Sequence, residues 1–224
     1  MLDPLDKELE RRGHTFARYA DDFILVVKSA RAAQRVMASL VRYVEGTLKL
    51  VVNRVKSKTA PLKECSFLSF HITARGKIVW TKKALARFRQ RIKAITSRSR
   101  GVSVEKMIEE LRRYVIGWLG YFGISNTYKE VLKLEDWIRR RVRLYYWKQW
   151  KQPRTRRRNL IKLGRDPAEV KLVSRSRKGY WRLSSNSIVQ RALTNAYLHG
   201  QGVPDMKAKW IAMHYGNPLE GVAA

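Results

Sequence analysis

The stretch Phe16-Ala17-Arg18-Tyr19-Ala20-Asp21-Asp22-Phe23-Ile24-Leu25-Val26-Val27-Lys28 decides the fold of the first part of the chain. Two runs rich in aromatic and β-branched residues, 16–19 and 23–28, flank three small or acidic residues, which predicts two antiparallel strands joined by a tight turn. Two adjacent carboxylates at such a tip suggest a divalent cation site, with Asp21 the first choice as ligand. The alternative is an ordinary solvated turn, which is the usual role of an Asp-Asp pair.

Outward from the hairpin, the pattern predicts a mixed fold. Ser29 is a helix N-cap, and apolar residues recur at helical spacing over 30–48. Strand-like composition follows at 50–52, 65–73 and 77–80, with Arg75-Gly76 as a hairpin turn. Beyond Thr81 the periodicity becomes helical, and the predicted helices span 85–95, 104–118, 134–150 and 187–198. The fold class is therefore α+β, with a boundary near residues 80–83.

Charge identifies the expected kind of partner. The chain has 48 Lys and Arg against 18 Asp and Glu, a net charge of +30. This excess favours a polyanion such as nucleic acid, although a membrane surface or an acidic tail could use the same charge. A hydrophobic content of 45% indicates a folded protein rather than a basic tail.

Cysteine content and hydropathy restrict the location. Cys65 is the single cysteine, which excludes an internal disulfide, favours a reducing compartment and is expected to be a buried thiol. The longest apolar stretches fall short of the roughly 20 residues that a membrane span needs. These features predict a cytoplasmic protein and not a membrane protein, and association with a ribonucleoprotein or the nucleoid is compatible with them.

A dense basic segment interleaved with aromatics lies between residues 139 and 158. Such a segment can hold phosphates while aromatic faces stack on unpaired bases, and nucleic-acid binding is the favoured interpretation. In the alternative, the aromatics are core and the cations coat a helix. Trp118, Tyr121, Phe122 and Trp137 are expected to be core. The predicted nucleic-acid-binding residues are Arg139, Arg140, Arg141, Arg143, Lys148, Lys151, Arg154, Arg156, Arg157 and Arg158.

Several motifs occur in a fixed order along the chain. The first part of the chain carries Leu5-Asp6-Lys7-Glu8-Leu9, Arg18-Tyr19-Ala20-Asp21-Asp22-Phe23, Val52-Asn53, Lys56-Ser57-Lys58-Thr59 and Phe67-Leu68-Ser69-Phe70. The second part carries Gly117-Trp118-Leu119-Gly120-Tyr121-Phe122 and Leu134-Glu135-Asp136-Trp137-Ile138-Arg139-Arg140. The order and spacing of the first set resemble the late palm motifs of group II intron reverse transcriptases, and the second set resembles the maturase-specific region that forms the thumb of these enzymes.

The resemblance implies a domain plan and a chemistry. Residues 1–81 would be the C-terminal part of a reverse-transcriptase palm, 82–163 the helical thumb or maturase-specific domain, and 164–224 a basic maturase extension. Asp21 and Asp22 would be catalytic residues and Mg²⁺ ligands, with Tyr19 and Lys56 near the primer and nucleotide. Intron RNA and an RNA/DNA template-primer are the implied partners, and a homodimer is compatible with the sequence.

The sequence departs from the family pattern in two places. Ser69 stands where the family usually has glycine, and its added side chain is expected to hinder close packing of this segment near the primer. The fingers and the palm strand with a third catalytic aspartate have no counterpart before Leu5. The chain is therefore expected to be part of a longer polymerase and not competent alone. The alternatives are a non-catalytic RNA-binding maturase module and a remnant of a mobile element with an exposed sheet edge.

Overall fold

A computed structural model describes residues 2–216, and the chain divides into two compact units. Unit 1 ends at Thr81 and unit 2 begins at Lys82. Unit 1 combines helices with short antiparallel strands, and unit 2 is helical throughout its described residues. The predicted α+β class is confirmed.

Unit 1 is built around the predicted hairpin. Helix α1 (Asp3–Arg11) precedes strands β1 (Thr15–Tyr19) and β2 (Asp22–Val26), and helix α2 (Ala30–Gly46) follows them. The strands are antiparallel, with Tyr19 opposite Asp22 and Thr15 opposite Val26. Ser29 caps α2, because its side chain accepts a hydrogen bond from the Ala32 amide at 3.2 Å.

The core of unit 1 lies between its two helices and the hairpin. Leu5 and Leu9 of α1 are fully buried against Leu40 and Val44 of α2. Partly buried apolar residues of both strands and of the segment after α2 complete this cluster: Phe16, Leu25, Leu48, Leu50 and Val52. Burial of one face of α1 and α2 thus holds the hairpin in place.

A three-stranded sheet completes unit 1. Strands β3 (Ser66–Phe67), β4 (Phe70–Ile72) and β5 (Ile78–Trp80) pair in that order, each antiparallel to the next. The predicted turn between the last two is confirmed, with Gly76 at φ +73°. In residues 50–52 the prediction of a strand is wrong. Leu50 and Val52 turn inward and Val51 is 95% exposed, so this alternation reflects burial against the helices rather than strand pairing.

The Phe67-Leu68-Ser69-Phe70 segment forms the turn between β3 and β4. Phe67 lies opposite Phe70, and Leu68 and Ser69 adopt φ of +50° and +69°. A two-residue hairpin loop of this kind favours residues that tolerate the left-handed region, above all glycine. Local backbone conformation therefore accounts for a preference for glycine at position 69.

Unit 2 contains nine helices among its described residues. The three longest are α3 (Lys82–Ile95), α4 (Val104–Phe122) and α5 (Tyr128–Gln149). Ser103 caps α4 by accepting a hydrogen bond from the Lys106 amide at 3.2 Å. The shorter helices are α6 (Pro153–Lys162), α7 (Pro167–Arg175), α8 (Tyr180–Leu183), α9 (Ser187–Ala192), α10 (Asn195–Gly200) and α11 (Met206–Tyr215).

Helix α5 is the centre of unit 2 and packs against α4, α8 and α11. Trp147 and Tyr145 are its largest buried side chains. The end of α4 approaches α11 closely, since a Cβ on Gly123 would lie 2.6 Å from the Met213 sulfur. The Trp210 indole on α11 donates to the Ser125 carbonyl at 2.9 Å. A small residue at 123 thus permits the contact that closes this end of the unit.

The predicted single helix over 187–198 is wrong. The backbone leaves helical geometry at Leu193, and Thr194 caps a new helix by accepting from the Tyr197 amide. The break frees the Leu193 carbonyl, which accepts a hydrogen bond from the Arg143 Nε at 2.9 Å. A tertiary contact thus competes with helix continuity, and periodicity alone does not detect it.

Candidate nucleic-acid interface

The acidic turn lies on the surface of unit 1. Tyr19, Ala20, Asp21 and Asp22 are all exposed, and Ala20 has φ +51°. Asp22 begins β2, whereas Asp21 lies in the two-residue turn itself. Among residues 2–216, no third His, Cys, Asp or Glu joins these two carboxylates in a cluster able to hold a metal ion. They therefore offer two carboxylate ligands at one exposed point.

Arg18 connects the turn to α1. Its guanidinium donates to both carboxylate oxygens of Asp6, through Nε at 2.7 Å and through Nη2. Nη1 of the same side chain donates to the Ala20 carbonyl at 3.0 Å. The hydrogen bonds from Arg18 hold the pKa of Asp6 below its usual range. The exposed tip therefore has a fixed base even though Ala20 is in a conformation that non-glycine residues rarely adopt.

Lys56 lies in a turn that follows Asn53. The Asn53 side-chain oxygen accepts from the amides of Val55 and Lys56, at 3.2 and 3.1 Å. The Lys56 side chain is exposed.

The expectation that Cys65 is buried is wrong. Cys65 is only partly buried, and its thiol lies 3.6 Å from the Ala60 and Pro61 carbonyls.

The basic segment separates into inward and outward cations. Arg143 and Arg156 are each only 8% exposed. Arg143 contacts the protein, donating to the Leu193 carbonyl and, at 2.9 Å, to the Asn195 side chain. Burial lowers the pKa of Arg143. Three half-buried cations also contact the protein. Arg139 forms an ion pair with Glu135 at 2.9 Å. Arg140 donates to the Trp181 carbonyl at 3.0 Å, and Arg141 donates to the Thr96 hydroxyl at 2.5 Å.

The outward cations lie at the junction of α5 and α6. Lys151, Arg154, Arg157 and Arg158 are exposed, and Lys148 is half-buried. Among residues 2–216, none of these five has a hydrogen bond or ion pair through its side chain. Arg154 lies in the first turn of α6, where the helix dipole disfavours a cation and favours an anion. This junction can therefore bind phosphate groups without first breaking internal contacts.

Most of the interleaved aromatics are core. Four of these rings are between 0 and 9% exposed: Tyr145, Tyr146, Trp147 and Trp150. They are therefore too buried to stack on bases. Of the rings expected to be core, Trp118 is buried, but Trp137 and Phe122 are only partly covered and Tyr121 is 48% exposed. Helical spacing predicts the buried face of α5 correctly and overestimates burial at the end of α4.

A second aromatic pair lies among cations on the surface of unit 2. The Tyr180 ring has Arg98, Lys148 and Arg156 within 5.3 to 5.7 Å of its centroid. The adjacent Trp181 is 40% exposed, with the Arg140 guanidinium 3.9 Å from its ring centroid. Arg98, Tyr180 and Trp181 are not among the predicted binding residues. The sequence signal was a second alternation of charge and aromatics, Arg175-Ser176-Arg177-Lys178-Gly179-Tyr180-Trp181-Arg182.

A carboxylate-histidine cluster in unit 2 is an ion-pair network. Potential ligand atoms of Glu135, His199 and Asp205 lie within 4.8 Å of one another. The Arg139 guanidinium, however, is 2.9 Å from the Glu135 carboxylate and 3.5 Å from His199 Nε2. Burial raises the pKa of Glu135, an effect that exceeds the lowering by Arg139. A resident guanidinium supplies the positive charge here, so the arrangement needs no metal.

In a comparison with protein families, residues 85–164 match the group II intron maturase-specific domain. No curated protein matches the chain. Among the described residues, no helix has both the length and the apolar character needed to cross a membrane. The matched region contains α4, α5 and α6 and nearly all of α3, including the outward cations. Residues 85–164 of the chain are therefore similar to the group II intron maturase-specific domain.

Proposed function

We propose that the chain binds structured intron RNA through the outward cations of unit 2 and assists splicing of a group II intron. The observation that carries this proposal is the set of unpaired, exposed cations at the junction of α5 and α6, inside the matched domain. A protein in this role stabilises one RNA fold over others, and needs no catalytic group to do so. Its location would be an intracellular ribonucleoprotein.

The physical basis is the release of counterions. Each phosphate that a Lys or Arg neutralises frees a condensed cation from the RNA, and this entropy gain contributes most of the sequence-independent affinity. Cations already paired with a carboxylate contribute little, because binding RNA would cost them that partner. The paired and unpaired cations of unit 2 should therefore differ in their effect on binding.

A matched pair of triple variants tests the proposal. Arg154→Gln/Arg157→Gln/Arg158→Gln removes three unpaired cations and is expected to lower the slope of log affinity against log salt by about 2 to 3, at roughly 0.7–0.9 per phosphate contact. Lys106→Gln/Arg113→Gln/Lys133→Gln removes three cations that already pair with Glu109 or Glu130. This control should lower the slope by less than about 1. Equal slopes for the two variants, measured by fluorescence anisotropy on one structured RNA, would contradict the assigned interface.

We also propose a second function, RNA-directed DNA synthesis, for a polymerase centre to which the hairpin contributes. The observation that favours it is the exposed Asp21-Asp22 pair at a hairpin tip whose base is fixed by Arg18. Mg²⁺ is commonly held by one or two carboxylates together with substrate phosphates, so the donor set fits this ion. When bound, it would supply Lewis-acid stabilisation of charge on the transferring phosphate. The partner would be an RNA/DNA template-primer, with Tyr19 and Lys56 near it.

Metal binding and synthesis can be measured separately. Substoichiometric Mn²⁺ is expected to broaden the amide resonances of residues 20–23 in the wild type and to leave Asp21→Asn/Asp22→Asn unaffected, because only the wild type has the carboxylates. The same proteins are then given an annealed primer, an RNA template and Mg²⁺. We expect no extension by this chain alone, since a two-metal centre needs more ligands than these two. Broadening that persists in the variant would refute the metal assignment.

A further inference from the structure

Arg156 and Arg143 are equally buried but differ in what surrounds their charges. Each is 8% exposed. Arg143 donates two hydrogen bonds to oxygen atoms of the protein. Among residues 2–216, the guanidinium of Arg156 has neither a hydrogen bond nor a carboxylate partner, and its Nε is buried without an acceptor. Arg143 thus has a structural role, whereas Arg156 lacks the partner that a buried cation requires.

Within the described part of the chain, aromatic rings supply the contacts to the Arg156 guanidinium. Its guanidinium lies 4.9 Å from the Trp147 ring centroid and 5.7 Å from that of Tyr180. Such cation–π contacts offset part of the desolvation of the charge, but they do not accept its N–H groups. An anion with several oxygen acceptors would satisfy those groups.

Two further cations lie around the same tyrosine. Arg98, between α3 and α4, is 5.3 Å from the Tyr180 centroid, and Lys148, at the end of α5, is 5.6 Å from it. Neither has a carboxylate partner within the part of the chain that the structure describes. Three cations from three segments thus converge on one ring with no negative charge among them. Their mutual repulsion is relieved when an anion binds.

The neighbouring Trp181 can contact the rest of a nucleotide. Arg140 lies 3.9 Å from its ring centroid and donates to its backbone carbonyl, so the indole is held in one position. The side chain is nevertheless exposed, at 40% of its residue surface. A fixed, partly exposed indole next to a phosphate site has the features of a stacking platform for an unpaired base.

We propose that Arg98, Lys148 and Arg156 bind one RNA phosphate beside Tyr180, and that Trp181 stacks on the base of an unpaired nucleotide attached to that phosphate. This inference rests on the proposed RNA-binding function and adds selectivity to it. A base inside a helix is already stacked on its neighbours and cannot offer a face to Trp181. The chain would therefore prefer RNA with a bulge or loop to a continuous duplex.

The test compares two RNA hairpins of the same sequence, one with a single-nucleotide bulge and one fully paired. Wild-type protein is expected to bind the bulged hairpin about 5- to 100-fold more tightly at constant salt, the range that base–aromatic stacking provides. Trp181→Ala should abolish this preference and leave affinity for the paired hairpin within about 2-fold. Trp181→Phe, which keeps an aromatic face, should retain part of it. A preference that survives Trp181→Ala, or is absent from the wild type, overturns the stacking assignment.

The phosphate site is tested with Arg98→Gln, an exposed position whose loss should leave folding intact. We expect it to weaken binding of the bulged hairpin several-fold more than binding of the paired one, whereas Lys106→Gln should change both equally. Equal effects of Arg98→Gln on both hairpins would refute the site. If the wild type binds neither hairpin, the proposed RNA-binding function itself fails. If it binds both equally, only the inference about unpaired nucleotides fails.

Discussion

Replacing Glu135 by Ala is expected to lower the free energy of unfolding of unit 2 by about 3 kcal/mol, because it leaves the Arg139 guanidinium without its nearest hydrogen-bond acceptor. The side chains of Glu135 and Arg139 are 3% and 11% exposed, and their charged atoms are 2.9 Å apart. The Glu135 carboxylate also accepts the Met206 amide at 3.1 Å, so the substitution removes a buried acceptor as well. Urea unfolding followed by tryptophan fluorescence measures the change, since six of the seven tryptophans lie after Thr81.

Glu130 on the same helix provides the control. It pairs with Lys133 at 2.9 Å on the surface, where both side chains are substantially exposed. Glu130→Ala should therefore cost less than about 1 kcal/mol. Equal losses for the two alanine variants would show that the buried network contributes no more than a surface ion pair.

The pH dependence of Glu135 gives an independent readout. Burial, with a smaller contribution from Asp205, raises its pKa in the folded state, so the folded protein takes up a proton more readily than the unfolded chain. The contribution of Glu135 to stability is therefore largest below its unfolded pKa of about 4.3 and is lost as pH rises through the folded value. As the pH falls from 7 to about 5, the free energy of unfolding of the wild type should rise relative to that of Glu135→Gln. A decrease would contradict the assigned cause.

Raising the salt concentration from about 50 to 200 mM is expected to weaken RNA binding by roughly 10³- to 10⁵-fold, if 6 to 10 phosphates are contacted. The net charge of +30 and the unpaired cations at the junction of α5 and α6 make this number of contacts available. Anisotropy titrations of one structured RNA over a salt series give the slope directly. Added sucrose, which changes water activity without adding ions, is the control. A change of less than about 10-fold over this range would contradict the electrostatic account of binding.

Local patterns predicted the hairpin, its turn and the long helices because their signals are local. Tyr19 to Asp22 needed only flanking strand formers and small residues, and the Ser29 cap needed only a hydroxyl before an apolar period. The segment at 50–52 shows the limit of this reasoning. Alternating burial arises there without a paired strand, since a helix surface can bury alternate residues as well as a sheet can.

The basic segment could be located from sequence but not sorted into roles. Arg143 and Arg156 have the same residue type and the same burial, yet one is engaged by a carbonyl and an amide oxygen some fifty residues away and the other is not. The carbonyl becomes available only because the chain breaks its helix at Leu193. No spacing rule contains that information. The sequence likewise contains Tyr180 and Trp181 beside basic residues. It does not show which cations surround Tyr180, because these come from three separate segments.

The contacts of α5 have a consequence for how the matched domain is synthesised and isolated. Glu135 and Arg143 find their partners at Met206, Leu193 and Asn195, all beyond residue 164. A nascent chain that has emerged from the ribosome only as far as residue 164 would hold both side chains in a helix without these partners. Residues 85–164 alone thus lack partners that two side chains of α5 contact in the folded unit. Protein expressed to study this region should therefore extend at least through α11 to Tyr215.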